Sequence, residues 1–385
     1  MITTINNKHK KLNVPNLRFP EFQEEWEESS IGEMFDLYSG NTPSRLNKSH
    51  FKGNVNWISS GELKQHYIYS SKEQISEEAA QSLKMLPVGT FVIAIYGLEA
   101  EGVRGTGSIT KEPSTISQAC MAFTSKGKVE NEFLYSWYKK HGNVIGIKYA
   151  QGTKQQNLSY DILEKFKIAY PNAKEQGKLN KFISLLDERI ATQNKIIDNL
   201  QSLIRGIRNE VFGKLRKTVG FNAIIGDVLS YEQPQSYIVE DTEYTNEGTP
   251  VLTANKAFVL GYTSETDGVY DKGDCIIFDD FTLDCKYVDF SFKVKSSAIK
   301  ILTAKNKELL RYTFEFLKHL DLSTDEHKRH YIAETQNQSF ILPNAEMIEI
   351  IAHTFSALSL QMQYAIKQRN KHEEQKLYLL RQMFI

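Results

Sequence analysis

Pro171-Asn172-Ala173 returns as Pro343-Asn344-Ala345, and each copy opens a stretch patterned as a long helix. Val211-Phe212 closes the first stretch and Met383-Phe384 the second, at the same distance from the opening proline. Upstream of each lies a larger segment of mixed strand-like and turn-like character. The chain reads as globular unit, long helix, globular unit, long helix, and a repeat of this size settles the architecture before any local assignment. Two similar surfaces held apart by helical spacers suit a long, repetitive ligand, and duplex DNA is the candidate.

In the first stretch Leu179, Ile183, Leu186, Ile190, Ile197, Leu200, Ile204, Ile207 and Val211 alternate steps of four and three once Gln193 takes its slot. That is the a/d seam of a coiled coil. Gln193 is the polar residue on the seam: buried, it would fix register and orientation, and near an open end or facing water it would do neither. From Leu179 to Phe212 the rise is roughly 50 Å. In the second stretch Ile351, Phe355, Leu358 and Met362 repeat the seam. A polar run from Lys367 to Lys376 follows, and then Leu377, Leu379, Leu380, Met383 and Phe384. The two helices are expected to pair antiparallel, with imperfect pairing or another protein over the polar middle.

The globular segments share an order of elements. Ile31-Gly32-Glu33 is echoed by Ile225-Gly226-Asp227, and Asn56-Trp57-Ile58-Ser59 by Pro250-Val251-Leu252-Thr253. Phe91–Tyr96 reads as a buried strand; Gly89–Ala94 matches Gly273–Phe278, Gln118–Phe123 matches Ser297–Ile301, and the helical spacing of 133–141 matches 309–320. The strands agree in type and the loops differ, as in two copies of one scaffold with different ligands. The expected fold class is α+β: two similar mixed α/β domains separated by two long helices forming an antiparallel coiled coil. The division is 1–14 flexible leader, 15–170 first domain, 171–217 first spacer helix, 218–342 second domain and 343–385 second spacer helix.

Totals bound the function. Three cysteines, Cys120, Cys275 and Cys285, lack CxxC spacing and paired histidines, which argues against zinc and a disulfide framework and fits a reducing cytoplasm. No apolar run approaches the ~20 residues of a membrane span, and the Asn- and Lys-rich start has no apolar core for a signal peptide. Net charge is zero, with 47 basic and 47 acidic residues, so phosphate attraction must be local. The sum is +5 over residues 174–217 but −8 over 218–342.

Three motifs in this order then carry a family resemblance. They are Ser39-Gly40-Asn41-Thr42-Pro43-Ser44 followed by Trp57-Ile58-Ser59, then Leu86-Pro87-Val88-Gly89, then Ile168-Ala169-Tyr170-Pro171 leading into the helix that bears Glu175-Gln176. The pattern resembles the specificity subunit of type I restriction–modification systems over nearly the whole chain. The resemblance implies two target recognition domains, each reading one half of a split DNA site, with the helices setting the unread gap. It also implies docking of two methyltransferase (modification) subunits and of restriction/translocase subunits. S-adenosylmethionine, ATP and Mg are expected on those partners, with no cofactor bound by this chain, no catalysis of its own and no membrane partner. The second copy departs from the pattern: Glu346-Met347 stands for Glu175-Gln176, and Tyr231-Glu232-Gln233-Pro234-Gln235-Ser236 stands where the first has its Ser-Gly-Asn-Thr-Pro-Ser loop.

Catalytic signatures are weak. No Pro-Pro pair exists to build an Asn-Pro-Pro-aromatic methyltransferase motif, and no Phe-x-Gly-x-Gly loop is present. Gly102-Val103-Arg104-Gly105-Thr106-Gly107 is neither a dinucleotide fingerprint nor a P-loop. It reads as a surface loop, or as a loop laid against a phosphate with Arg104 at its tip. Asp279-Asp280 with Asp284 and Lys286 could imitate a Mg-dependent nuclease site, although an acidic turn describes it as well. No histidine set has metal-ligand spacing.

Base edges call for Arg or Lys at guanine and Asn or Gln at adenine, and phosphates for Lys, Arg, Ser and Thr. In the first domain Asn41, Thr42, Ser44, Arg45, Lys48, Lys64, Arg104, Lys154 and Gln155 supply these types. In the second, Gln235, Tyr237, Asn255, Lys256, Lys286, Lys328, Arg329 and Tyr331 do. The leading expectation is a non-enzymatic DNA-specificity subunit. The alternative is a coiled-coil scaffold whose mixed domains bind proteins, supported by the acidic second unit.

Overall fold

The computed structural model describes residues 13–100, 102–152, 154–254, 257–322 and 330–385. The chain divides into two compact units, Met1–Thr192 with Arg369–Ile385, and Gln193–Gln368. Both long helices pass from one unit to the other along the chain: Ala173–Thr218 and Ala345–Met383.

The repeated Pro-Asn-Ala is a helix start. The Asn172 side chain accepts from the Glu175 amide at 3.1 Å, and Asn344 accepts from the Met347 amide at 2.9 Å. Asparagine satisfies an amide that the first turn leaves without a partner, while proline ahead of it rejects an earlier helical start. The first helix stops at Gly220, where φ is +74° and the Gly220 amide returns to the Leu215 carbonyl, a left-handed cap that glycine adopts without strain.

In the first unit a five-stranded sheet runs in the order Phe35–Ser39, Cys120–Ser125, Phe91–Ala94, Gly107–Thr110, Tyr67–Ile68. Beside it lies a three-stranded sheet, Gln74–Ile75, Val55–Ile58, Ser114–Ile116, whose last pair is parallel. The second unit repeats the plan. Its four-stranded sheet runs Ser230–Glu232, Ile299–Thr303, Cys275–Asp279, Cys285–Val288. Its three-stranded sheet, Val259–Thr263, Thr249–Leu252, Lys293–Val294, again ends on a parallel pair. A two-stranded ribbon closes each domain at its long helix, Glu27–Ser30 with Lys167–Tyr170 and Ala223–Ile224 with Ser339–Phe340. The fold class is therefore the expected one, mixed α/β domains alternating in sequence with long helices.

Each unit buries its own segments of the helices. In the first, Leu179, Ile183 and Leu186 share a core with Leu379, Leu380, Met383 and Phe384, and with Trp26, Phe133 and Trp137 of the domain. Leu17 reaches the same place through its amide on the Gln382 carbonyl. In the second, Phe212 and Leu215 pack with Ile351 and Phe355 and with Phe278, Tyr312, Phe316 and Phe340. Ile197 is buried, while Ile190, Leu200, Ile204, Ile207, Val211, Leu358 and Met362 are half-buried. Gln193 donates its side-chain amide to the Ala365 carbonyl of the opposing helix at 3.1 Å. An amide bonded across the seam tolerates one register, whereas Leu at the same place would slide. In both units the early part of one helix meets the late part of the other, so the pairing is antiparallel.

Charged groups lock each long helix to its domain. Glu175, fully buried, takes both arms of the Arg18 guanidinium at 2.7 Å. Gln176 accepts from the Glu130 amide and donates to the Lys128 and Pro171 carbonyls at 3.0 and 2.8 Å. In the second unit the lock runs the other way. Glu315, on the helix Lys307–Leu320, accepts from Arg208 of the long helix at 2.9 and 2.6 Å and from Arg311 at 2.8 Å.

Candidate nucleic-acid interface

The loop after Phe35–Ser39 opens at Gly40. A Cβ there would lie 2.3 Å from the Ile116 and Ser117 carbonyl oxygens, so only glycine lets the backbones touch. The Gly40 and Asn41 amides donate to the Cys120 and Ile116 carbonyls at 3.1 and 3.0 Å, and the Trp57 indole donates to the Asn41 carbonyl at 3.0 Å. Thr42 is bonded to Gln118. A turn follows, closed by the Asn47 amide on the Ser44 carbonyl, and the Asn47 side chain caps the short helix Lys48–Phe51 through the Ser49 amide.

Arg45 lies over the Phe51 ring at 4.0 Å and forks onto the Glu73 carboxylate at 2.6 and 2.8 Å. The pair raises the guanidinium pKa and lowers that of Glu73. Glu73 brings in the neighbouring loop, which Asn56 also holds by accepting from the Ser71 amide. Glu62 joins the set by accepting from the Lys72 amide at 2.5 Å, which fixes the turn leading to exposed Lys64. Asn41, Thr42, Ser44, Arg45, Lys48 and Lys64 therefore belong to one bonded set of loops.

Arg104, Lys154 and Gln155 belong to another. Gln151 pairs with Asn157, and the Leu98 amide donates to the Gln156 carbonyl. Lys154 and Gln155 are exposed. Arg104 is not a free tip: its Nε donates to the Leu98 carbonyl at 2.9 Å, and its stem lies where a Cβ on Gly146 would be. It staples its own loop to the helix Asn131–Tyr149, which corrects the reading of a charged tip aimed at phosphate.

The second unit gathers less. Gln235 is exposed, and Lys286 is paired with Asp284 at 3.1 Å, a carboxylate shared with Lys318 at 3.2 Å. Tyr237 and Tyr331 are 7% and 0% exposed, core residues rather than surface contacts, and this corrects the expectation for both. Asn255, Lys256, Lys328 and Arg329 lie outside the described residues, as do residues 1–12 of the expected leader. The acidic run is built as turn acceptors: Asp279 takes the Phe281 and Thr282 amides at 2.9 Å, and Asp280 the His330 and Tyr331 amides at 3.0 and 2.8 Å. Among the described residues no His, Cys, Asp and Glu group has a metal-holding arrangement. No helix of the described residues is long and apolar enough to cross a membrane.

Behind the first loop set, His66 is stacked between Tyr67 and Tyr135, each ring 4.0 Å away. Its Nε2 is 2.7 Å from Glu132 and its Nδ1 2.9 Å from Asp187, which also binds Lys376 of the second long helix. Burial opposes the imidazolium, but the two carboxylates outweigh it and the His66 pKa is raised. Burial also works against the Asp187 carboxylate, yet His66 and Lys376 lower its pKa. Raised above its unfolded value of 6.5, His66 adds stability that is complete below that pH and lost as pH rises through the folded value. Asp187 adds stability present above 3.8 and lost as pH falls through its folded value. The urea midpoint of the first unit should therefore exceed that of His66→Gln most between about pH 4 and 6.5, with the gap narrowing in alkaline buffer. A gap that widened above neutrality would refute the ion triad.

The fold and these loops define a domain class. Residues 23–202 match the model of the Type I restriction modification DNA specificity domain, just under half of the chain. Over 165 residues the chain is 38% identical to the EcoR124I/EcoR124II type I restriction enzyme specificity subunit of Escherichia coli, covering 38% of this chain and 41% of that one. Over 222 residues it is 26% identical to the type I restriction enzyme MjaIX specificity subunit of Methanocaldococcus jannaschii, covering 56% and 50%. The matched stretches span about half or less of these curated relatives. A solved type I restriction-modification S subunit from M. genitalium shares the fold, with TM-score 0.65 at 15% identity over 97% of this chain and 99% of that one. Residues 23–202 thus match a type I restriction modification DNA specificity domain, and the resemblance read from the loop and helix motifs is borne out.

Proposed function

We propose that this protein is the non-catalytic DNA-specificity subunit of a type I restriction–modification assembly. Its first domain reads one half-site of a split target and its second domain the other. One observation carries the reading: between Asp36 and Glu62 no acidic residue occurs, while Arg45, Lys48 and Lys52 do, on a loop pinned from several sides. A rigid basic loop pays little ordering entropy on meeting phosphates and base edges. The repeated sheet plan supports two readers of common design. Lys64, Lys154 and Gln155, and in the second domain Gln235 and Lys286, are further contacts in this reading. Asn255, Lys256, Lys328 and Arg329 keep that assignment from the sequence alone.

The partners in this reading are two methyltransferase subunits and restriction/translocase subunits, which carry S-adenosylmethionine, ATP and Mg, in the cytoplasm. A second reading, a scaffold that binds proteins through both domains, has the −8 charge of residues 218–342 in its favour. A gel shift at moderate salt, with and without methyltransferase subunits, separates the two. Sequence-dependent retardation supports DNA reading, and none in either state supports the scaffold.

Arg45 gives the sharper test. Arg45 and Glu73 are 53% and 46% exposed, and a pair so placed contributes about 0–1 kcal/mol to folding. Arg45→Ala should leave the fold intact and weaken DNA binding by about 1–3 kcal/mol. Unchanged affinity and unchanged sequence preference would remove Arg45 from the interface.

A further inference from the structure

Leu46 is 97% exposed, the most exposed large apolar side chain among the described residues. It sits beside Arg45 in the turn closed by Asn47 on Ser44. The turn is bonded on both sides of it. On one side Arg45 is forked to Glu73 and covers the Phe51 ring, and on the other Asn47 caps the helix Lys48–Phe51. Apart from Pro43, the sequence around it, Asn41 to Lys48, offers hydrogen-bonding side chains and positive charge with no carboxylate. A leucine held in water on a pinned turn makes no internal contact that its own burial would break.

The major groove offers hydrogen-bond donors and acceptors at every base pair, and its one apolar group is the C5 methyl of thymine. We propose that Leu46 reads thymine, packing on that methyl in the half-site of the first domain. This rests on the DNA-reading function above and adds the base and the residue. Arg45 and Lys48 bring the loop to the duplex, and Leu46 tells thymine from cytosine at one position, where the methyl is missing.

The test uses the full chain assembled with methyltransferase subunits and a duplex carrying its mapped target. Each thymine of the first half-site is replaced in turn by deoxyuridine, which lacks only the methyl. At one position the replacement should weaken wild-type binding about four-fold, the value of one buried methyl. Leu46→Ala should bind the thymine and uracil duplexes alike, and Leu46→Met should keep the preference. A half-site where no uracil replacement affects the wild type overturns the inference, and so does Leu46→Ala retaining the uracil penalty. Sequence-dependent binding by the wild type in those cases leaves the DNA-reading function standing. If the wild type shows no sequence preference on any duplex, that function fails and this inference with it.

Discussion

Glu315→Ala will lower the stability of the second unit by about 3–5 kcal/mol, the cost of stranding buried charge. Glu315 is 1% exposed, and its partners Arg208 and Arg311 are 14% and 10% exposed. Arg311 also donates to the Phe355 carbonyl at 3.1 Å and binds Ser359, so it cannot swing to water without breaking the helix contact. Alanine would leave the Arg208 and Arg311 guanidinium groups without the carboxylate they share. Glu315→Gln keeps an acceptor and should fall between. Because the chain has two units, a single global unfolding energy is ill defined, and amide exchange along Lys307–Leu320 is the better gauge. Exchange there should quicken by orders of magnitude, and an unchanged rate would show that the lock contributes nothing.

Glu175→Ala should cost the first unit a similar amount, about 3–5 kcal/mol. Here the stranded cation is Arg18, 13% exposed against 1% for Glu175. Arg18 belongs to a strap, residues 13–26, that is held by the Leu17 amide on Gln382, by Phe19 edge-on to Phe182 at 5.9 Å, and by Trp26 in the core. The substitution should release this strap first, so protease cleavage before Trp26 should outpace loss of helical signal. Arg18→Met with Glu175→Leu should recover most of the loss, since an apolar pair of similar volume replaces a buried ion pair at little cost. If the single substitution leaves cleavage unchanged, the strap is held by its apolar contacts alone.

These two locks explain a departure seen in the sequence. Glu346-Met347 does not repeat the Glu175-Gln176 junction: the buried carboxylate of the second unit is Glu315 on the domain helix, and the Arg208 it binds lies near the end of the first long helix. What the sequence made legible was local or periodic. Pro-Asn-Ala announces a cap that involves only the next three residues, and the seam from Leu179 to Val211 follows from heptad spacing. The strands around Trp57, Phe91, Val251 and Ile276 are short apolar runs bounded by turn residues, and they stand where they were placed.

The misses needed partners distant in the chain. Arg104 was read as a loop tip because Gly146, which makes room for its stem, lies far along the chain. For the same reason the helix was read as ending near His141. Gly142 and Gly146 look like breakers, yet each is small because something packs on it, Tyr138 and the turn at Gly105 in one case and Arg104 in the other. Tyr237 and Tyr331 have the composition of DNA contacts, but depth is not written in residue type. Leu46 carries no polar group, so residue type alone does not mark it as a base or phosphate contact.

The acidity of residues 218–342, awkward for a DNA reader, has a structural share. Asp279 and Asp280 receive turn amides, and Glu265 receives the Glu240 and Asp241 amides at 3.0 and 2.9 Å while pairing with Lys293 at 2.6 Å. These three carboxylates hold turns.

The central claim is that two similar domains choose one DNA target in two parts. Single-molecule sequencing of modified adenines settles it most directly, in a host carrying this chain with its methyltransferase subunits and in the same host lacking this chain. The account predicts a motif of two short specific blocks separated by a fixed run of unspecified bases, absent without the chain. A single continuous motif, or modification that persists unchanged when the chain is removed, would contradict it.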